Sequence, residues 1–293
     1  MTDRIIEIAD TAASLSLGNR LLKIKLPDKP EYTLPVAEVQ CLILANPAIR
    51  ISGALLAALA ENKAAVVICG PDRLPAAMQI SLAGNYLQSE KFLAQIESAK
   101  PLRKRLWQSV VKAKIAAQAT LLAELHHDDC GLPQLAAKVT SGDTGNLEGR
   151  AAATYWKNLF DAPFVRDRDA PDSNRLLNYG YAILRAMTAR ACCAAGLHPT
   201  LGINHHNRYD PFCLADDLME PYRPVVDRVV YRLNPANREI AALTTDHRRA
   251  LLAGLLDKIA TRNGRWALTD LLRRAAEQTA RSFQCGENRL LYE

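Results

Sequence analysis

Three acidic side chains in one short apolar segment provide a candidate carboxylate pair. They are Asp216, Asp217 and Glu220, and Pro221 follows directly. Residues three or four positions apart lie on the same face of a helix, so Glu220 can point in the same direction as Asp216 or Asp217. Such a pair can bind a cation, although most helical acids lie on a solvated surface.

Two adjacent histidines, His205 and His206, lie in a loop-like stretch shortly before these acids. An imidazole brought to a carboxylate pair adds one nitrogen to several oxygens. That donor set suits Mg²⁺ or Mn²⁺ better than structural zinc, which favours sulfur-rich sets. The segment therefore predicts a divalent-metal site if the loop folds back over the helix.

A further acid, Glu148, lies upstream at the start of an alanine-rich helical run. Short polar side chains cap helix starts, so Asp143 or Thr144 is expected to cap this helix. A glutamate in the first turn is stabilised there by the helix dipole alone. Glu148 is therefore either an ordinary first-turn acid or a third metal ligand.

Three motifs in the second half of the chain carry a family resemblance. They read LEGRAAATYW, DSNRLLNYGYAILRA and LGINHHNRYDPFCLADDLMEPYRPVVD, in that order. With this order and separation the chain resembles the CRISPR-associated integrases that insert new spacers into a CRISPR array, in the form found in single-effector systems. The resemblance covers roughly the C-terminal two thirds of the chain.

The resemblance implies a metal site formed by Glu148, His205 and Glu220, with Asp217 as a further acid that supports it. His206 is adjacent to His205 and can be aligned in its place. The last ligand of the family is often an aspartate, so Glu220 is longer by one methylene. The expected cofactor is one or two ions of Mg²⁺ or Mn²⁺.

The implied activity is metal-dependent phosphodiester chemistry on DNA. A bound ion would orient a DNA 3′-hydroxyl and stabilise the leaving oxygen. Attack by the hydroxyl gives strand transfer and attack by water gives hydrolysis, so one site can serve an integrase and an endonuclease. The implied partners are double-stranded DNA with 3′-hydroxyl ends, CRISPR repeat DNA, a second copy of the chain, and a small companion adaptation protein that bridges two dimers.

Five polar or basic residues in these motifs are candidates for contacting DNA. They are Arg150, Lys157, Asn178, His206 and Arg223. Positive charges beside a metal site attract phosphates and make binding weaken with salt.

Two other classes of function use the same residues. A stand-alone metal-dependent DNA nuclease would keep the ligands and need no companion protein. A non-catalytic DNA-binding scaffold would leave the acids solvated. The distance between the carboxylates of Glu148 and Glu220 separates the catalytic hypotheses from the scaffold, because a metal site requires them to converge.

Composition sets broad limits on the class of protein. The 293 residues suffice for two domains, and the formal net charge of +6 permits nucleic-acid binding without demanding it. The seven cysteines form no metal-binding spacing and indicate buried free thiols in a reducing compartment. Neither a signal peptide nor a membrane-spanning apolar run is recognisable, so a cytoplasmic protein without a membrane partner is expected.

The chain divides by pattern into two parts, which predicts an α+β fold. Short apolar runs separated by turn residues indicate a small β-rich domain over residues 1–84, with one helical insert after Ser52. The resemblance implies that this domain mediates homodimer formation. Helical apolar spacing indicates a larger all-α catalytic domain over residues 85–293, including a long basic helix over 102–125.

Two clusters of polar residues in the helical part can each be explained without a role in catalysis. Residues 126–129 read HHDD but follow a long helix and precede Cys130–Gly131, which favours a surface turn. Asn174, Asn178 and Tyr181 form a polar stripe on a helix that begins near Asp172 and ends at Gly196. Buried polar groups must be hydrogen-bonded, so the stripe is either a structural network or the floor of a site.

Overall fold

Short strands and one helix form the N-terminal part of the protein. The computed structural model describes residues 4–71, 75–81 and 84–292. The strands of this part are β1 (Arg4–Ile8), β2 (Ser14–Gly18), β3 (Leu21–Lys25), β4 (Tyr32–Pro35), β5 (Val39–Leu44), β6 (Arg50–Ile51), β7 (Ala65–Cys69) and β8 (Pro75–Gln79). Helix α1 (Gly53–Glu61) begins after Ser52, whose side chain accepts a hydrogen bond from the N–H of Leu55.

These strands form two sheets. The first has the order β1-β5-β7-β8, with β1, β5 and β7 parallel and β8 antiparallel to β7. The second has the order β4-β3-β2-β6, antiparallel except for the parallel pair of β2 and β6.

Alternate side chains of β5 enter two different hydrophobic cores. Cys41 and Ile43 lie in the core shared with the C-terminal helices, whereas Leu42 and Leu44 pack against the second sheet and α1. Successive residues of a strand point to opposite faces of its sheet. The almost continuous apolar sequence of β5 is therefore that of a strand buried on both faces, and its sheet joins the two parts of the chain.

The rest of the described chain is mostly helical, which confirms the α+β class. The helices are α2 (Gln88–Ile96), α3 (Lys100–His126), α4 (Leu132–Lys138), α5 (Leu147–Leu159), α6 (Ser173–Ala195), α7 (Cys213–Met219), α8 (Arg223–Leu233), α9 (Thr245–Leu256) and α10 (Leu268–Cys285). A hairpin of β9 (Lys258–Thr261) and β10 (Gly264–Ala267) also occurs in this helical part. Its Asn263–Gly264 sequence is a typical hairpin turn signal.

The structure bears on the predicted domain ranges, on membrane spanning and on the cysteines. Residues 1–3, 72–74, 82, 83 and 293 of the two predicted domain ranges lie outside the described residues, and the boundary at residue 84 stays a prediction. No helix in the described ranges is both long and apolar enough to cross a membrane. All seven cysteines are free thiols, but Cys285 is exposed, so the expectation of burial is wrong there.

The polar stripe of α6 is a structural network at two of its three positions. The guanidinium of Arg166 donates to the side-chain oxygens of Asn174 and Asn178, each at 2.7 Å. The amide nitrogen of Asn178 donates to the carbonyl of Arg168 at 2.8 Å. These bonds hold the loop that precedes α6. The predicted surface turn at 126–129 is also confirmed, because α3 ends at His126 and irregular structure follows.

A buried arginine fastens the C-terminal helices to the first sheet. The side chain of Arg248 in α9 is 0% exposed; its Nε lies 2.9 Å from Glu7 Oε1, and its Nη2 lies 2.9 Å from Asp10 Oδ1. Its Nη1 donates to the carbonyl of Leu243, and the hydroxyl of Tyr179 in α6 donates to the same Glu7 oxygen. A fully desolvated guanidinium requires such partners, because an unpaired buried charge is strongly destabilising.

We expect Arg248→Met to lower the free energy of unfolding by about 3–5 kcal/mol, because the substitution leaves Glu7 without its charge partner. Urea denaturation monitored by circular dichroism measures the change. Arg249→Met is the matched control: its side chain is 75% exposed on the same helix, and the change there should stay within about 0.5 kcal/mol. Equal losses in the two variants would contradict this account of Arg248.

Candidate active site

Two glutamates from distant parts of the chain meet at one lysine. The Nζ atom of Lys114 in α3 lies 2.6 Å from Glu148 Oε1 and 2.7 Å from Glu220 Oε2. Glu148 lies in the first turn of α5, and Glu220 begins a short 3-10 turn between α7 and α8. The two carboxylates therefore converge, as a shared metal site would require.

The start of α5 is fixed by two polar side chains. Asn146 is the N-cap residue, and its side chain accepts a hydrogen bond from the first turn. The expected cap by Asp143 is present as well, although Asn146 holds the N-cap position: the Asp143 carboxylate accepts from the backbone N–H groups of Leu147 and Glu148, each at 2.9 Å. Asn146 adopts a left-handed backbone with φ of 48°, which brings both side chains within reach of the free N–H groups. These bonds hold the backbone that carries the Glu148 side chain.

Glu220 is the buried member of the pair. The residue is 4% exposed, and its second oxygen, Oε1, lies 2.9 Å from Arg223 Nη2. Burial alone would raise the pKa of Glu220, but Arg223 and Lys114 outweigh that effect and lower it to about 2. Burial would likewise lower the pKa of Lys114, but Glu220 and Glu148 raise it overall. Glu220 is thus an anion and Lys114 a cation at neutral pH.

Asp217 organises the loop that carries the histidines. Its carboxylate is 0% exposed and accepts hydrogen bonds from the backbone N–H groups of Ile203 at 2.5 Å, Asn204 at 3.0 Å and His205 at 3.2 Å. The ring Nδ1 of His205 donates to the same carboxylate at 2.6 Å. One side chain on α7 therefore sets both the path of the loop and the orientation of the imidazole.

The same loop needs a glycine and a buried glutamine. A Cβ atom on Gly202 would lie 2.4 Å from the carbonyl oxygen of His205, closer than a side chain can approach. The fully buried Gln95 of α2 donates to the carbonyls of His198 and Leu201 and accepts from the N–H of His198. These contacts restrain the loop, so the backbone before His205 is held in one position.

His205 and His206 differ clearly in their surroundings. His205 contacts Asp217, and its ring packs edge-on against Trp107 of α3 with centroids 5.6 Å apart. The hydrogen bond to Asp217 raises the pKa of His205, against the opposing effect of burial. His206 is exposed. Because Nδ1 is held by Asp217, Nε2 is the nitrogen of His205 available to a metal, as in many carboxylate–histidine–metal arrangements.

Asp216 and Asp217 are adjacent but have different partners. Both oxygens of Asp216 accept hydrogen bonds from Arg185 of α6, each at 2.6 Å. Neighbouring residues on a helix point about 100° apart, so Asp216 faces α6 while Asp217 faces the histidine loop. Asp216 therefore contributes to helix packing rather than to a carboxylate pair with Glu220.

A buried polar network lies behind the glutamates. The carboxylate of Asp227 in α8 accepts hydrogen bonds from the hydroxyls of Tyr155 and Tyr181. The guanidinium of Arg223, which contacts Glu220, lies over the Tyr181 ring at 4.7 Å from its centroid. Burial raises the pKa of Asp227 to about 6, although both tyrosine hydroxyls oppose the shift. The network thus positions Arg223 and, through it, Glu220.

The donor set at this site fits a divalent ion with oxygen and nitrogen ligands. Two carboxylates already share one cation, and buried Glu220 Oε2 has no hydrogen-bond partner besides that charge contact. His205 adds a nitrogen of defined tautomer. In the ranges 4–71, 75–81 and 84–292, however, no three His, Cys, Asp or Glu side chains lie close enough to hold an ion as they stand. Lys114 joins the glutamates in this arrangement.

The candidate DNA contacts are distributed differently. Arg150 and Lys157 are exposed on α5, and His206 is exposed on the loop. Arg223 is engaged with Glu220 and Tyr181, whereas Asn178 is engaged with the loop before α6. All five contacts with DNA stay predictions, and the three exposed residues are the ones free to meet a duplex without rearrangement.

Sequence reasoning identified the charge on Lys114 but not its position in the site. Lys114 lies within the long basic helix predicted over 102–125, but the pattern did not place it between the glutamates. Helical spacing could have placed it, because buried Val110 and Val111 precede it by about one turn and buried Ile115 follows it. Asp227, Tyr155 and Tyr181 carried no sequence signal for their mutual contact, since they come from three different helices.

We expect Asp217→Asn to lower the pKa of His205 in the metal-free protein, because the substitution removes the charge that holds the ring proton. The raised pKa in the unsubstituted protein means that this pair stabilises the fold fully below the ordinary histidine pKa. That stabilisation is lost as the pH rises through the raised value. NMR titration of the ring signals in EDTA measures the pKa, and His205→Gln assigns the signal. An unchanged pKa in Asp217→Asn would refute the assignment.

Comparison with known proteins identifies similar chains and similar folds. The chain is 35% identical over 281 residues to the CRISPR-associated endonuclease Cas1 of Neisseria meningitidis serogroup C (strain 8013), with 95% of this chain and 90% of that protein covered. Two solved structures share the fold. One is described as a Cas6-RT-Cas1--Cas2 complex, with TM-score 0.78, 21% identity, and coverage of 100% of this chain and 36% of that chain. The other is a casposase bound to integration product, with TM-score 0.77, 18% identity, and coverage of 99% and 93%.

A family model extends the agreement over most of the sequence. The model for CRISPR associated protein Cas1 matches residues 6–263, a range that contains every residue of the candidate site and both N-terminal sheets except the first two residues of β1. With the convergence of Glu148 and Glu220 and the high coverage of the Neisseria relative, this match shows that the chain belongs to the Cas1 family of CRISPR-associated proteins.

Proposed function

We propose that this protein is a divalent-metal-dependent DNA integrase that inserts short foreign DNA fragments into a CRISPR array, and that the same site can hydrolyse DNA. The observation that carries the proposal is the convergence of Glu148 and Glu220 on one cation. His205, held by Asp217, supplies a nitrogen ligand from the neighbouring loop. Family membership selects CRISPR adaptation as the setting for this chemistry.

Each side chain of the site has a defined task in this proposal. Glu148, His205 and Glu220 hold one or two ions of Mg²⁺ or Mn²⁺. A divalent ion bound there activates an attacking oxygen and stabilises charge on the phosphate. Asp217 keeps Nδ1 of His205 protonated so that Nε2 faces the ion. Arg223 keeps Glu220 ionised and oriented although it is buried.

The attacking group decides between the two outcomes. A DNA 3′-hydroxyl that attacks a phosphodiester of the CRISPR repeat forms a new P–O bond, and the bond to the 3′-oxygen of the repeat strand breaks and leaves a 3′-hydroxyl. Water in the same position breaks the same bond and gives a 5′-phosphate and a 3′-hydroxyl. The relative from Neisseria is named an endonuclease, which supports hydrolysis. The casposase structure contains an integration product, which supports strand transfer on the same fold.

The proposed assembly contains more than one chain. One of the similar structures is a complex that contains Cas1 and Cas2, which supports a small companion adaptation protein as a partner here. We propose that two homodimers joined by this companion hold a short duplex with 3′-hydroxyl ends. Dimer formation through the β-rich N-terminal part is a further element of the proposal.

The scaffold hypothesis has less support than the two catalytic hypotheses. It predicted solvated acids, but Glu220 is 4% exposed and Asp217 is fully buried. Burying a carboxylate is costly unless it is paired or hydrogen-bonded. Both acids are paired inside the protein, so they are not the solvated surface acids that the scaffold hypothesis requires. A stand-alone nuclease remains the second candidate because the endonuclease name of the relative favours hydrolysis.

A strand-transfer assay tests the proposal. The reaction contains a short duplex with free 3′-hydroxyls, a supercoiled plasmid bearing a CRISPR array, Mn²⁺ or Mg²⁺, and the companion protein. We expect joined products with the unsubstituted protein and a loss of at least about a hundredfold in Glu148→Gln, Glu220→Gln and His205→Ala, because each removes a ligand worth several kcal/mol in the transition state.

Two controls make the outcome specific. His206→Ala should retain far more joining than His205→Ala, because His206 is exposed and its predicted role is contact with DNA only. Glu124→Gln, a glutamate of α3 paired with Arg228 outside the site, should also retain joining. Cleavage without joined products would move the conclusion to a stand-alone nuclease. Unchanged products in all three ligand variants would refute a catalytic role for these residues.

A further inference from the structure

Lys114 lies between the two proposed glutamate ligands and contacts both of them. Its side chain is 11% exposed and extends from the middle of α3, where Val110, Val111 and Ile115 are all buried. The ammonium is therefore delivered to the site by a helix anchored in the core. Lys114 is therefore a largely buried component of the site and not an exposed surface charge.

The ammonium uses the oxygens that an incoming ion would need. On Glu220, Oε1 lies 2.9 Å from Arg223 Nη2 and Oε2 lies 2.7 Å from Lys114 Nζ. On Glu148, Oε1 lies 2.6 Å from the same nitrogen. An ion bound by both glutamates would therefore compete with Lys114 for Glu220 Oε2 and Glu148 Oε1, because the other oxygen of Glu220 faces Arg223.

A divalent ion at these oxygens would lie within a few ångströms of the ammonium. Like charges at that distance repel strongly where burial excludes water. Arg223 balances the charge of one carboxylate, and the Lys114 ammonium balances the other. A divalent ion can supply the charge that Lys114 supplies, so the ammonium and the ion compete for this position.

We propose that Lys114 is a built-in counter-ion of the metal site, which joins Glu148 and Glu220 in the metal-free protein and must be displaced when a divalent ion binds. This inference rests on the proposed metal-dependent function, because the ion is part of it. It adds that Lys114 weakens the metal affinity and keeps the glutamates together until the ion arrives. The site is thereby assembled without metal and binds it reversibly.

Calorimetric titration with Mn²⁺ in the absence of DNA tests the competition. We expect Lys114→Met to bind Mn²⁺ at least about tenfold more tightly than the unsubstituted protein, since no ammonium has to leave the buried oxygens. Lys112→Met is the matched control, because Lys112 is exposed on the same helix, and its Mn²⁺ affinity should be unchanged. Glu220→Gln should bind Mn²⁺ more weakly.

Thermal unfolding supplies a second readout that does not depend on activity. In EDTA, Lys114→Met should unfold at a lower temperature than the unsubstituted protein, because its two carboxylates then lack their shared cation. Saturating Mn²⁺ should raise the unfolding temperature more in the variant than in the unsubstituted protein. If Lys114→Met does not fold, Lys114→Gln, which removes the charge but retains a hydrogen-bond donor, is used in both measurements.

The outcomes separate this inference from the proposed function. Tighter Mn²⁺ binding in Lys114→Met together with the larger thermal shift supports displacement. Equal or weaker Mn²⁺ binding in Lys114→Met, with clear binding by the unsubstituted protein, overturns the inference and leaves the metal-dependent function standing. Absence of Mn²⁺ binding in the unsubstituted protein, Lys114→Met and Lys112→Met alike overturns both.

Discussion

The need to neutralise a buried carboxylate governs the architecture of the candidate site. Glu220 is almost fully removed from water, and leaving such a charge without a partner costs about 3–5 kcal/mol. Arg223 and Lys114 provide the partners, from the following helix and from α3. Because Lys114 also contacts Glu148, the same requirement draws the start of α5 to the end of α7. Convergence of the two glutamates is thus tied to the stability of the fold and does not wait for a ligand.

Adjacent acids in this site have different partners and therefore different structural roles. The Asp217 carboxylate accepts hydrogen bonds from three backbone N–H groups and from the His205 ring. It therefore fixes the path of the loop and orients the imidazole. Asp216, one residue earlier, faces α6 and pairs with Arg185. Glu220 is left as the acid of this segment that meets Glu148. The different tasks follow from the rotation of each residue around a helix.

The remaining fold supplies a rigid support for this arrangement. The central strand β5 of the first sheet is buried on both faces, and the sheet carries the helical core on one of them. Arg248 adds a charged connection between that sheet and α9. Behind the glutamates, Asp227 receives both tyrosine hydroxyls and positions the ring on which Arg223 lies. Movement of Arg223 would therefore disturb a network that reaches well beyond the proposed metal ligands.

The sequence by itself determined the local elements and the residue types of the candidate site. Alternation and helical spacing depend on near neighbours, which is why the strands of the N-terminal part, the long α3 and the caps of α1 and α6 were predictable. The turn at 126–129 followed from the same local rules, whereas the hairpin in the tail was missed although Asn263–Gly264 signals it. Only the tertiary structure decided that Lys114 joins Glu148 to Glu220, that His205 rather than His206 meets Asp217, and that Asp227 holds two tyrosines. These contacts join residues from separate helices, turns and loops. The packing of those elements decides which residues meet, and no local pattern in the chain encodes that packing.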